Sequence, residues 1–320
     1  MEGALKRVPL VNLEDFTKGT PAERERFVAT YGESLRWFGF VRVDGHGVDD
    51  ALVQRNYDLF RKFFELDLPA KRRCEVDRAG QRGYVGFGKE HAKDQALADL
   101  KEFWHVGREL PREHPLASVY PANVWPAELP ELKSTALALF GSLERCANVL
   151  LEALAAYFRI EPDSFRHMTR DGNSILRAIH YPPLAPHHDP RAVRAAAHED
   201  INIITLLCGA TATGLELLTR DGEWLAVDGL PGQIVTDAGD MLARVTNEVI
   251  PSTTHRVVNP GDSANSSRFS LPFFVHPAPD VVLDCLPCCD TKDNPRRYPP
   301  VTGQAFLEQR LREIGLLKPS

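Results

Sequence analysis

Between Leu132 and Phe158 apolar residues return every three or four positions: Leu132, Ala136, Leu139, Phe140, Leu143, Ala147, Leu150, Leu151, Leu154 and Phe158. That spacing is the stripe of one helix buried along its length, and core packing accounts for it. Upstream the pattern alternates. Val8 to Leu13 predicts a short strand. Thr20-Pro21-Ala22-Glu23 has a Thr N-cap, Pro at the first helical position and Glu at the third, a capping box. The helix it opens runs to about Phe38, where Gly39 stops it. Phe40 to Val43 predicts a second strand, and Asp49 caps a helix reaching about Leu66. Arg78 to Val85 is polar and glycine-rich, and Pro111 to Pro130 is proline-rich, so both predict loop.

From Ser174 the period shortens. Ile175–Tyr181, Ile201–Leu207, Leu215–Leu218, Trp224–Val227, Gln233–Thr236, Met241–Val245, His255–Val258 and Phe269–Val275 are short runs, several rich in β-branched residues. Gly214, Asp221-Gly222, Gly229 to Gly232, Gly239-Asp240 and Asn259-Pro260-Gly261 separate them. Short strands at this spacing predict a sandwich, barrel or jelly roll. A last helix, about Gln304 to Ile314, follows. No internal repeat or low-complexity segment interrupts the chain.

Composition narrows the function. A chain of 320 residues holds one large domain or two small ones. Its net charge of −6, without a basic run, argues against a nucleic-acid surface. The first residues lack the apolar stretch of a signal peptide, and no window approaches a membrane span. Cys74, Cys146, Cys208, Cys285, Cys288 and Cys289 are too sparse for a disulfide framework, which points to a reduced, cytoplasmic setting.

One cluster carries chemistry. His198 and Asp200 lie two apart at the head of an apolar run, His-Glu-Asp-Ile-Asn-Ile-Ile-Thr-Leu-Leu. On a strand, residues i and i+2 share a face, so an imidazole and a carboxylate would reach one ion while Glu199 points elsewhere. A bare His-x-Asp arises by chance, and surface polarity explains it equally well in isolation. Here a charge beside an apolar strand is costly unless it is paired or ligating. His255, 57 positions later in a β-branched run, supplies a third ligand from a distant strand. Two imidazoles and a carboxylate on one face of an octahedron suit iron(II) and leave positions open for a co-substrate and O2.

Arg268 and Ser270 repeat the i, i+2 spacing 13 residues beyond His255. A guanidinium grips a carboxylate through two parallel hydrogen bonds and a hydroxyl adds a third, which suits the distal carboxylate of 2-oxoglutarate. Taken alone, Arg-x-Ser would be an ordinary strand edge.

These residues resemble the isopenicillin N synthase-like branch of the iron(II)/2-oxoglutarate dioxygenases, over nearly the whole chain. The likeness rests on Val8-Pro9-Leu10-Val11, Gly39-Phe40, Gly45-His46-Gly47-Val48, Asp99-Leu100-Lys101-Glu102, Leu176 to Pro183, His198-Glu199-Asp200, Gly239-Asp240-Met241, His255-Arg256-Val257 and Arg268-Phe269-Ser270. It is similar above all to bacterial members, some labelled ethylene-forming or succinate-forming enzymes. The resemblance implies a mainly β fold with flanking helices. Residues 1–170 would form an N-terminal helical and α/β region with the long support helix. Residues 171–290 would form a double-stranded β-helix (jelly-roll) core, and 291–320 a C-terminal helix or lid. It also implies that Tyr181 helps position co-substrate or substrate, and that 2-oxoglutarate is decarboxylated to succinate and carbon dioxide as a small molecule is hydroxylated, desaturated or cyclised.

Around this centre, Arg177, Arg244 and Phe274 are candidate substrate contacts, against ion pairing for the arginines and aromatic core for the phenylalanine. Phe273 shares that aromatic alternative. His187-His188-Asp189 is a second His/Asp cluster in a proline-bounded loop, with a pocket-lining role as the lesser reading. His46 and His105 read as structural histidines. Cys285, Cys288 and Cys289 lack a second pair at zinc-site spacing. A monomer or weak homo-oligomer is expected, with no nucleic-acid or membrane partner. The competing functions are a same-fold oxidase in which Arg268 and Ser270 hold the substrate's own carboxylate, fragmentation of 2-oxoglutarate to ethylene, and a non-catalytic β-barrel binding module.

Overall fold

Two sheets face each other across the middle of the protein and share an apolar cluster between them. The computed structural model describes residues 7–76, 81–90, 98–186, 188–189, 191–227, 231–260, 265–313 and 317. Among these, the strands are β1 Leu10–Asn12, β2 Phe40–Asp44, β3 Gly83–Val85, β4 Glu102–Gly107, β5 Ile175–Tyr181, β6 Ala195–His198, β7 Ile204–Cys208, β8 Leu215–Leu218, β9 Trp224–Ala226, β10 Ile234–Ala238, β11 His255–Val257, β12 Arg268–Val275, β13 Val282–Leu283 and β14 Val301–Thr302. The helices are α1 Leu13–Thr17, α2 Pro21–Phe38, α3 Asp50–Phe64, α4 Leu68–Arg72, α5 Glu131–Phe158, α6 Ser164–Thr169, α7 Asp240–Val245 and α8 Gly303–Glu313.

The large sheet runs β1-β2-β10-β7-β12-β5-β4-β3 and the small one β6-β11-β8-β9. All neighbours are antiparallel except β1 and β2. This is the jelly roll expected from the sequence. Strands from the N-terminal region join it at both edges, β1 and β2 beside β10, and β3 and β4 beside β5.

The alternation of strand side chains separates two cores. On β5, Leu176 and Ala178 pack toward the helices, while Arg177, Ile179 and Tyr181 face the space between the sheets. On β12, Phe269, Leu271, Phe273 and Val275 join the helical core, while Arg268, Ser270, Pro272 and Phe274 face inward. Phe273 meets Phe140 of α5 edge to face, with ring centroids 4.9 Å apart. The stripe of α5 thus packs against the face of the large sheet opposite the one that looks into the space between the sheets.

Caps form where the sequence places them. Thr20 and Glu23 make the capping box reciprocally, and Gly39 ends α2 at φ 66°. The Asp49 carboxylate accepts from the Ala51 amide at 2.9 Å. Other expectations are corrected. Met241–Val245 is not a strand but most of α7, because Met, Leu and Ala favour helix and the first amides of α7 find carbonyls outside it. The amide of Asp240 donates to the Asp200 carbonyl at 2.8 Å, and that of Met241 to Ile201 and Asn202. Residues 200–203 are consumed in this way, so the strand expected from Ile201 starts only at Ile204. The segment Arg78–Val85 contains β3 at its end, and residues 78–80 lie outside those described. The sequence pattern does not announce β4, β6 or α6. Ile314, the expected end of the last helix, also lies outside the described residues.

Candidate metal and co-substrate site

His198 ends β6, Asp200 lies in the connection to β7, and His255 opens β11 directly opposite His198 in the ladder. His198 and Asp200 therefore do not share a strand face as the spacing suggested. They converge because the chain leaves β6 at Glu199 and turns toward α7. The His198 and His255 Nε2 atoms lie 4.0 and 3.9 Å from the Asp200 Oδ1. Among the described residues this trio is the only group of three or more His, Cys, Asp or Glu placed to hold a metal.

The far side of each ring fixes its chemistry. The Nδ1 of His198 lies 2.7 Å from the Ala196 carbonyl, and that of His255 3.1 Å from the Thr253 carbonyl. A carbonyl only accepts, so each Nδ1 carries the proton and each Nε2 offers a lone pair to the centre. Burial, with His255 beside it, pushes the His198 imidazole down to about 4, which disfavours its protonated form. Burial alone would push the Asp200 carboxyl up, but His255 and His198, with the donating Thr205 hydroxyl, hold it below its ordinary value. Two imidazoles and a carboxylate are the donor set that iron(II) takes, so the residues fit the metal.

A cavity of about 300 Å³ opens beside the trio. Arg268, Ser270 and Tyr181 line one end of it. Arg268 is 2% exposed, and its Nε donates to the Ala212 carbonyl at 3.1 Å. Its Nη1 is buried without a hydrogen-bond partner, an orphan donor that a carboxylate in the cavity would satisfy. These residues fit a dicarboxylate co-substrate.

The other end is walled by Arg177, Phe274 and His276. Arg177 holds Glu90 with both terminal nitrogens at 3.1 and 3.2 Å and donates from Nε to His105 at 2.5 Å. Its charge is matched, and its guanidinium lies 5.2 Å from the Phe274 ring centroid. Burial pushes the His276 imidazole down to about 4, and its Nδ1 is buried without a partner. Leu307, Arg310 and Leu311 of α8 close this end.

Arg244 does not line the cavity. It donates to the Pro299 carbonyl and lies over Tyr298 and Phe306. His46 makes local bonds, to the Gly232 carbonyl at 2.9 Å and from the Val48 amide at 3.1 Å. His188 bonds to the Ala185 carbonyl, and His187 lies outside the described residues. His105, by contrast, reaches the cavity. Thr205, Glu90 and His276 belong to the site and do not stand out in the sequence. The last has a signal there: continuing Arg268, Ser270, Phe274 by twos reaches His276. Glu90 and α8 have none, since their places depend on tertiary packing.

Known proteins resemble this chain over nearly its whole length. The profile of the 2OG-Fe(II) oxygenase superfamily matches residues 172–277, and that of the non-haem dioxygenase in morphine synthesis N-terminal region matches 8–128. A 2-oxoglutarate-Fe(II) type oxidoreductase, hxnY of Emericella nidulans, is 30% identical over 93% of this chain and 88% of its own. A 2OG-Fe(II) oxygenase family protein from Caulobacter crescentus superposes with TM-score 0.86 at 42% identity, over 95% of this chain and 98% of that one. A full-length Neurospora crassa protein, crystallised in complex with alpha-KG and thymine, superposes with TM-score 0.85 at 26% identity, over 95% and 96%. The fold, the convergent trio and these relatives together place the chain in the 2OG-Fe(II) oxygenase superfamily.

Proposed function

We propose that His198, Asp200 and His255 are the iron ligands, and that Arg268 and Ser270, beside Tyr181, hold the distal carboxylate of 2-oxoglutarate. The carrying observation is that both sets open into one cavity, and that the buried Nη1 of Arg268 has no partner there. Bound at the trio, iron(II) supplies the oxygen activation that couples decarboxylation of 2-oxoglutarate to oxidation of a small molecule. The protein's part is to hold two imidazoles and a carboxylate convergent, orient the co-substrate and exclude water.

Arg177 and Phe274, with His276, form the substrate end. The thymine bound to the Neurospora crassa relative supports a small-molecule substrate. The matched charge of Arg177 supports its acting as a wall and hydrogen-bond donor more than as an anion trap. No described helix is long and apolar enough to cross a membrane.

The test is succinate and carbon dioxide release from 2-oxoglutarate by protein loaded anaerobically with iron(II), across a substrate screen. His198→Ala should abolish turnover. Full turnover in that variant would reject the ligand assignment.

A further inference from the structure

The strand that delivers His198 is poorly anchored by its own side chains. β6 reads Ala-Ala-Ala-His, lies at the edge of the small sheet, and pairs with β11 through an irregular register. Three methyl groups give little packing to fix a ligand at its end. The free edge is closed instead by Asp99 and Leu100. The Leu100 amide donates to the Val193 carbonyl at 3.0 Å, and the Asp99 Oδ1 accepts from the Ala196 amide at 3.0 Å. Ala196 is also the residue whose carbonyl receives the His198 Nδ1 proton at 2.7 Å.

We propose that Asp99 is a positioning residue for the metal: it fixes the Ala196 backbone, whose carbonyl in turn sets the orientation of the His198 ring.

Asp99 is itself held. It is 4% exposed, and its Oδ2 accepts from the Lys101 ammonium at 2.8 Å. Lys101 lies 2.7 Å from Glu90, which Arg177 grips from the cavity side. A buried carboxylate paired on one oxygen and accepting a backbone amide on the other is rigid, and a charged acceptor makes the stronger hydrogen bond. The chain Arg177–Glu90–Lys101–Asp99 thus ties the wall of the cavity to the orientation of one ligand. Outer partners of ligating histidines fix the tautomer and ring angle, and losing one lowers metal affinity about 10–100-fold.

This inference rests on His198 being an iron ligand, so the test reads metal binding directly. Mn(II) affinity by calorimetry and the visible spectrum of Co(II)-loaded protein are compared for wild type, Asp99→Ala and Asp99→Asn. Asp99→Ala should weaken Mn(II) binding about 10–100-fold and alter the Co(II) bands. Asp99→Asn, which keeps an oxygen for the Ala196 amide, should recover most of the affinity. If both variants bind Mn(II) within about threefold of wild type with unchanged Co(II) bands, or if Asn behaves as Ala, the inference falls. Should Asp99→Ala not fold, Asp99→Asn decides through the Ala196 amide proton. An upfield shift, as its acceptor loses charge, supports the contact, and an unmoved proton overturns it. Absent Mn(II) binding in wild type would instead overturn the ligand assignment itself.

Discussion

Arg268 and Tyr181 stand opposite each other on β12 and β5, with the guanidinium carbon 5.0 Å from the tyrosine ring centroid. The ring and the strand hold the guanidinium in place. Its Nε has a protein acceptor, while its buried Nη1 has none. Leaving a buried donor open costs about 1–3 kcal/mol, which a bound carboxylate would offset. Arg268→Met should therefore weaken 2-oxoglutarate binding by about 3 kcal/mol, or ~100-fold, in Mn(II)-loaded protein. Metal affinity should stay unchanged. Equal co-substrate affinity in calorimetry would remove Arg268 from this role.

Thr205 tests the proposed carboxylate ligand, Asp200. Its hydroxyl donates to the Asp200 Oδ2, leaving Oδ1 nearest the two imidazoles. Thr205→Val is close to isosteric but removes that donor, so Asp200 gains rotational freedom. Metal affinity should drop by about 10–100-fold with little change in co-substrate affinity at saturating metal. A metal titration giving wild-type affinity would show that the backbone around Asp200 suffices.

Much of this site is legible in the sequence because strands have a period of two. Arg268 and Ser270 do share one face of β12, and Tyr181 lies across from them. The long apolar stripe of α5 is equally plain, since a helix of 28 residues repeats its pattern many times. The same rule misleads at His198 and Asp200. There the short apolar run from Ile201 looks like strand, but its carbonyls serve the start of α7. Local pattern does not reveal which distant amide will compete for a carbonyl. For the same reason Arg244 looks like a cavity residue, when the helix carrying it turns it toward Tyr298. Glu90, Lys101 and the face of α8 reach the site through tertiary packing alone.

His276 gives the metal-free protein a pH signature. Burial lowers its folded value to about 4 from the ordinary 6.5. Above pH 6.5 folded and unfolded chains both hold it neutral, and the contribution to stability is complete. As pH falls from 6.5 toward 4 the unfolded chain takes up a proton that the folded one refuses, so stability declines. The loss attributable to this residue is on the order of 3 kcal/mol. His276→Gln should flatten the fall by about that amount across this window, read as the difference between two series of urea melts. Parallel curves would mean that His276 titrates normally in the folded protein.

Arg310 and Asp240 join the last helix to the segment beside Asp200. The Arg310 Nη2 lies 2.5 Å from the Asp240 Oδ2, and neither side chain is more than 18% exposed. Burial pushes the Asp240 carboxyl up even with Arg310 beside it, so the ion is poorly solvated. The amide of Asp240 donates to the Asp200 carbonyl, and the Leu307 and Leu311 side chains of α8 close the cavity. Arg310→Met leaves the carboxylate unpaired while preserving the apolar stem. Stability should fall by about 2–4 kcal/mol, somewhat under the full penalty of breaking a wholly buried pair. Amide exchange in α8 should accelerate. Asp240→Asn removes the charge that suffers, so Arg310→Met with Asp240→Asn should be more stable than Arg310→Met alone. That non-additivity is the signature of a direct pair. If the double variant is instead as unstable as the sum of the singles, α8 is held by Leu307 and Leu311, and the ion pair merely accompanies their packing.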